Sequence, residues 1–415
     1  MTATPPLVAP IAGERFAALD RLSDLIAPPY DVISPPERAA YAARHAQNIV
    51  HVMLPEGNGD ERYASAARIL EQWRKSGALV RDVEPAVYVL RQEFTTPDGC
   101  HHARTGVFGA VAAEPYAPGR VRPHEKTHAG PKADRLALIE ATQTMVESIF
   151  LLAPDRGGAL RKLLSETAGT EPTAKAELGG VAISLWRVSG AKGQAIADAA
   201  GKDALYIADG HHRFETAGAY RAKNPKADRT IALIVPLDDP GLVVLPTYRL
   251  VRGRKLTESE VTAALKGSFD IEPLESELNA VSLLADKGRN STAALVALFG
   301  GRVLALVLKK GADLSSLPGE AGKLDVARVD ALITAPLKKQ AGADATVDYT
   351  PDPGVLFSEV GEGKVAAGVM LNPTNVRDVL AVADAGEVMP QKSTYFIPKV
   401  PSGLLFLPFP APGAR

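Results

Sequence analysis

Leu205-Tyr206-Ile207-Ala208-Asp209-Gly210-His211-His212-Arg213-Phe214-Glu215-Thr216 is the stretch on which the reading of this chain turns. Leu205 and Ile207 alternate in strand register, and Gly210 permits a sharp reversal that a residue with a Cβ resists. Phe214, Ala217 and Tyr220 then recur at helical spacing. The pattern predicts a buried strand, a tight turn, and a helix whose first turn carries two histidines and an arginine. A helix N-terminus presents unpaired N–H groups and the positive end of the dipole, and so favours an anion. The imidazoles of His211 and His212 and the Arg213 guanidinium add hydrogen bonds suited to phosphate, with Gly210 letting the backbone come close. Asp209 is a carboxylate at an anion site. It has a role there either as a Mg²⁺ ligand or as acceptor of a proton from a substrate hydroxyl. The plain alternative is an N-cap aspartate beside two exposed histidines.

Composition agrees with a water-soluble enzyme. The 415 residues exceed one ordinary domain and predict two or three, and a hydrophobic content of 46% supports real cores. A formal net charge of −1 supplies no basic field to drive nonspecific binding to nucleic acid, so no nucleic-acid partner is expected. One cysteine, Cys100, excludes an intrachain disulfide framework and fits a reducing compartment. Met1-Thr2-Ala3-Thr4-Pro5-Pro6 lacks the basic start and apolar run of a signal peptide, and no apolar stretch reaches membrane-spanning length. The expectation is a cytoplasmic protein without a membrane partner, of oligomeric state that the sequence does not specify.

Working outward, Ser34-Pro35-Pro36-Glu37 is a capping box that opens a helix to about Gln47, and Ile49 to Leu54 reads as a short strand. Asp60 to Ser76 is predicted helical, with Tyr63, Ala67, Leu70 and Trp73 inward. Ala86–Thr95 and Ala103–Ala112 form a hairpin about Pro97-Asp98-Gly99. A helix starts near Gly130-Pro131, and strand Ala182–Val188 and helix Gly193–Ala200 lead to the Asp209 turn. The expected fold class is mixed α/β. Residues 1–251 would be the catalytic core, 252–347 a second, smaller α/β domain, and 348–415 a C-terminal segment packing back on the core.

Several motifs compete for a role. His124-Glu125-Lys126-Thr127-His128 matches H-E-x-x-H, but zinc proteases need both histidines on one continuous helix. Pro123 and Gly130-Pro131 break such a helix, so no zinc is expected. The segment reads instead as an active-site loop. Glu125 is then a general base or a metal ligand, with His124, Lys132 and Arg135 bracketing phosphates; the alternative is a solvated polar loop. Tyr30 and Asp31 follow two prolines and read either as substrate contacts or as an extended connector. Lys392, Ser393 and Thr394 beside Tyr395 hold a phosphate or a base, or belong to an ordinary C-terminal strand. His51 reads as a supporting residue, and Cys100-His101-His102 as a solvated hairpin flank. No Walker loop, Gly-x-Gly-x-x-Gly, Gly-x-Ser-x-Gly or paired Cys-x-x-Cys is present.

Asp209-Gly210-His211-His212-Arg213 resembles the signature of the ParB/sulfiredoxin-like superfamily, and is similar to the Asp-Gly-His-x-Arg of its free-serine kinases. More broadly, the chain resembles the bacterial family called domain of unknown function 1015. The likeness runs through Pro28-Pro29-Tyr30-Asp31-Val32, Asn48 to Pro55, His124-Glu125-Lys126-Thr127, Gly130 to Arg135, the Asp209 motif and Lys392 to Phe396. Tyr248 departs from the histidine expected in that family. The resemblance implies a ParB/sulfiredoxin-like nucleotide-binding core. It further implies phosphoryl transfer from ATP or ADP, with Mg²⁺, to a small hydroxyl metabolite such as L-serine. In those kinases a glutamate of a Pro-His-Glu-type segment deprotonates the substrate, which implies the same role for Glu125, acting together with Asp209. Phosphate-monoester hydrolysis and a nucleotide-gated binding module are the alternatives.

Overall fold

The computed structural model describes residues 5–116, 119–127, 129–274, 280–288 and 291–410. These fall into two compact units: residues up to 123 with 127–243 and 398 onward, and residues 124–126 with 244–397.

In the first unit the Leu205–Asp209 strand lies in a nine-stranded mixed sheet. It pairs parallel with Val121–Arg122 and antiparallel with Ile149–Ala153. The order continues through Arg229–Pro236, His101–Ala112, Ala86–Thr95 and Val181–Ser189 to Ala174–Leu178. Where Ala86–Thr95 ends its pairing, Val8–Ala9 takes over the same edge of His101–Ala112. Gly109 permits that approach, because a Cβ there would stand 2.6 Å from Cγ1 of Val8. Ile149, Leu151, Leu205, Ile207, Ala232 and Ile234 face one core together with Phe214 of the His211–Lys223 helix. Side chains at alternate strand positions share a face, and each buried one of this size contributes roughly 1.5–3 kcal/mol.

The second unit is built on a six-stranded antiparallel sheet, in the order Phe269–Leu274, Arg302–Leu308, Ala293–Leu298, Ala367–Leu371, Tyr248–Arg252, Thr346–Thr350. Its core joins these strands to Glu258–Leu265, Pro353–Gly361 and Val376–Asp384. Arg249 is fully buried and makes a two-pronged bond to Asp330, Nε to Oδ1 at 2.7 Å and Nη2 to Oδ2 at 3.0 Å.

The fold is mixed α/β, but the divisions expected at 251 and 347 both fall inside this unit. Tyr248–Arg252 pairs with Thr346–Thr350 and Ala367–Leu371, so residues 348–397 complete the second unit and only the chain from 398 returns to the first. Ile49–Leu54 also differs from expectation. Val50–Met53 is a helical turn, with Asn48 Oδ1 accepting from Val50 N while Asn48 Nδ2 donates to the carbonyls of Asp24 and Ile26. In Glu61–Lys75 Ala66, not Ala67, joins Tyr63, Leu70 and Trp73 inside. The capping box on Pro35–Arg44 and the hairpin of Ala86–Thr95 with His101–Ala112 stand as read.

Candidate functional site

The Asp209 turn is built by two local departures from regularity. The pairing of Leu205–Asp209 with Ile149–Ala153 slips between Ile207 and Asp209, so Ala208 is extra; such a bulge bends a strand end and re-aims the residue after it. Gly210 follows with φ 97° and ψ 32°, the left-handed region a side chain resists. The helix then runs His211–Lys223, and its N-cap makes no side-chain hydrogen bond to the first turn. Thirteen residues of helix thus begin with no capping side chain, the arrangement that favours an anion.

Arg213 is buried, with Nη2 donating to Asp209 Oδ2 at 3.1 Å and Nη1 donating to the carbonyl of Ser148. It links Asp209 to the residue that precedes the Ile149–Ala153 strand. Lys399 Nζ lies 3.6 Å from the same Asp209 oxygen. Burial alone would raise the Asp209 carboxyl, but Lys399, Arg213 and His211 outweigh it and hold the group at about 2. Asp209 is therefore a permanent anion near neutrality and a weak proton acceptor.

Around this turn the structure gathers Tyr30, Asp31, Arg135 and Glu147. Glu147, buried, accepts from Arg135 Nη1 at 2.9 Å and from the Tyr30 backbone N–H at 3.3 Å. The Arg135 guanidinium lies 4.2 Å from the centre of the Tyr30 ring, and its Nη1 also donates to the Met53 carbonyl at 2.8 Å. Arg135 is thus committed within the protein. Burial, with Asp31 and Glu147, pushes the Tyr30 hydroxyl up to about 12, so it is a donor and never a base near neutrality. Tyr30 and Arg135 also line a pocket of about 320 Å³ with Arg38, Arg62, Glu56 and Asp134. A larger cleft of about 610 Å³ runs along the flank of the helix, past Tyr116, Phe214, Gly218 and Arg221.

Lys132 Nζ is 2.7 Å from Glu215, which also accepts from Thr127. His124 and Glu125 belong to the second unit, as do Lys392, Ser393 and Thr394. There the His124 carbonyl accepts from Met389 N at 2.8 Å and its ring Nε2 lies 3.5 Å from Thr394 Oγ1. Ser393 is buried, with its hydroxyl on the Pro390 carbonyl, and Lys392 has φ 55°. His124–Thr127 is not helical; His128 lies outside the described residues. His51, half-buried, contacts the His45 carbonyl at 3.3 Å.

Three contributors escaped the sequence reading: Glu147, the Ser148 carbonyl and Lys399. Glu147 had a signal, being a lone charge beside the apolar run Ile149–Ala153. A charge buried in such a run needs a partner. Lys399, between Pro398 and Val400, had none.

No helix among the described residues is long and apolar enough to cross a membrane. Solved structures show distant likeness. A conserved hypothetical protein from Pyrococcus furiosus is 15% identical, with 72% of this chain and 93% of that one covered and a TM-score of 0.37. A free serine kinase in complex with AMP is 13% identical over 72% of this chain and 92% of its own, with a TM-score of 0.38. The C-terminally truncated SbnI from Staphylococcus aureus is 9% identical over 71% and 84%, with a TM-score of 0.37. No curated protein matches. Residues 8–329, most of the chain, match the family described as Protein of unknown function (DUF1015), and the chain belongs to that family.

Proposed function

We propose that this chain transfers a phosphoryl group from a bound nucleotide, ATP or ADP, to a small hydroxyl compound, with free L-serine the first acceptor to test. The observation that carries the reading is the Asp209 turn. An uncapped helix N-terminus is opened by a left-handed glycine, with two histidines in its first turn and an ionised carboxylate at its mouth. Phosphoryl transfer asks chiefly for positioning and charge stabilisation, which this arrangement supplies.

Mg²⁺ fits as an ion carried by the nucleotide. Among the described residues no group of three or more His, Cys, Asp or Glu stands together to build a cage. Mg²⁺ at such sites takes one or two carboxylates and draws its other oxygens from phosphates and water. Asp209 would be its protein ligand, and the ion would offset phosphate charge. The chain's own groups do the rest in this reading. Gly210, His211 and His212 receive phosphate oxygens, while Arg213 keeps Asp209 in place. Tyr30 and Asp31 meet the acceptor, and Arg135 orients Tyr30. Glu125 takes the hydroxyl proton, and His124, Lys132, Lys392, Ser393 and Thr394 are further nucleotide contacts; the support for these last six is the sequence pattern.

The test is direct. AMP, ADP and ATP, each with and without Mg²⁺, are screened for a raised melting temperature, and L-serine phosphorylation is followed by phosphorus NMR. Glu125→Gln is expected to slow turnover by ~10²–10⁴-fold with nucleotide affinity close to wild type. Absence of any nucleotide binding would refute the reading.

A further inference from the structure

The chain re-enters the first unit at residue 398, and the next residue, Lys399, brings its ammonium to the Asp209 turn. Its path is set by two polar side chains buried in the sheet. Gln92 Nε2 donates to the Lys399 carbonyl at 3.1 Å, and Arg104 Nη2 donates to the Pro398 carbonyl at 2.6 Å. Arg104 is itself bonded to Gln92 Oε1 and lies 4.6 Å from the centre of the Phe150 ring, so neither side chain is free to drift. Polar groups at sheet-interior positions are costly unless bonded, and here both are spent on fixing the backbone of two residues. Downstream, Ser402 and Ala27 exchange backbone bonds at 2.8 and 3.3 Å. That ties the returning segment to the strip that carries Tyr30 and Asp31.

The product of this bracing is one ammonium. Lys399 Nζ stands 3.6 Å from Asp209 Oδ2, with both side chains about four-fifths buried. The other groups facing Asp209 are Arg213 and His211, and Arg104 acts on it from further off. Asp31, Glu147 and Tyr30 face Arg213 in turn. Arg213 is locked to the Ser148 carbonyl, whereas Lys399 reaches the turn on a flexible stem.

We propose that Lys399 belongs to the site: a positioning residue that holds the Asp209 carboxylate aimed at the helix mouth, and whose ammonium shares the charge of a phosphate bound there. The C-terminal segment is then part of the catalytic machinery. The second half of this statement rests on the phosphoryl-transfer reading; the first does not.

The experiment uses the full chain with Lys399→Met and Lys399→Arg, and Lys399→Gln as a polar counterpart should the methionine variant lose its fold. Each is unfolded in urea both in the wild-type background and beside Asp209→Asn. Lys399→Met is expected to lower the urea midpoint in the wild-type background and to leave it unmoved beside Asp209→Asn, with Lys399→Arg restoring it. In parallel, affinity for Mg–ADP by calorimetry is expected to fall about tenfold in Lys399→Met and to recover in Lys399→Arg. An equal change in both backgrounds, or none in either, overturns the positioning role. A loss coupled to Asp209 with unaltered Mg–ADP affinity overturns the phosphate contact. A wild type that binds no nucleotide refutes phosphoryl transfer instead, and the coupling still decides Lys399.

Discussion

Gly210→Ala is expected to damage the Asp209 turn in two ways at once. With φ at 97°, a Cβ built on Gly210 lies 3.0 Å from both Cζ and Nε of Arg213. Left-handed backbone costs an L-residue roughly 1–2 kcal/mol. The guanidinium cannot swing aside, because it is buried between Asp209 and the Ser148 carbonyl. Displacing it adds an overpacking cost of about 1–3 kcal/mol, so the substitution is expected to destabilise the first unit by about 2–5 kcal/mol. Gly218 in the same helix is the control. Its φ is not in the left-handed region and a Cβ there meets nothing within 4 Å, so Gly218→Ala is expected to stabilise by about 1 kcal/mol. Both tryptophans of the chain, Trp73 and Trp186, are buried in the first unit. Urea unfolding followed by tryptophan fluorescence therefore reads the unit in question. A Gly210→Ala variant as stable as wild type would refute the strained-turn argument, as would losses of equal size at both glycines.

Asp209 also predicts an acid limb. Its carboxyl is held at about 2 against an ordinary 3.8, so its contribution is complete above about pH 4 and is lost as pH falls through the folded value. Asp209→Asn should make the urea midpoint of the first unit fall less steeply across that window, Asp134 and Glu114 supplying part of the remaining slope; superimposable wild-type and variant limbs would count against an ionised, paired Asp209. In the second unit, Asp330→Ala strands the fully buried Arg249 and should cost about 3–5 kcal/mol by calorimetry. A loss under about 1 kcal/mol, the scale of an exposed pair, would show that Asp330 is not what neutralises it.

What the sequence determined by itself is what neighbouring residues decide. The Leu205–Asp209 strand, the Gly210 reversal and the His211–Lys223 helix follow from alternation, one glycine and a helical period within a single stretch. The capping box at Ser34 and the Pro97-Asp98-Gly99 hairpin are local in the same sense. Tertiary structure decided the rest, because periodicity says which element forms and not which element it meets. Ile49–Leu54 is apolar enough for strand or helix, and the choice lies with Asn48, whose side chain binds carbonyls at Asp24 and Ile26. Thr346–Thr350 could not reveal that its partner is Tyr248–Arg252 far back in the chain, so the second unit's limits were not legible. Nothing near Arg213 in the sequence tells that its buried guanidinium bonds both Asp209 and the Ser148 carbonyl. Lys399 acquires a partner only when Gln92 and Arg104, buried in two adjacent strands, hold the returning chain over the turn. A charge becomes functional when its surroundings remove water and fix its neighbours, and that is a property of packing.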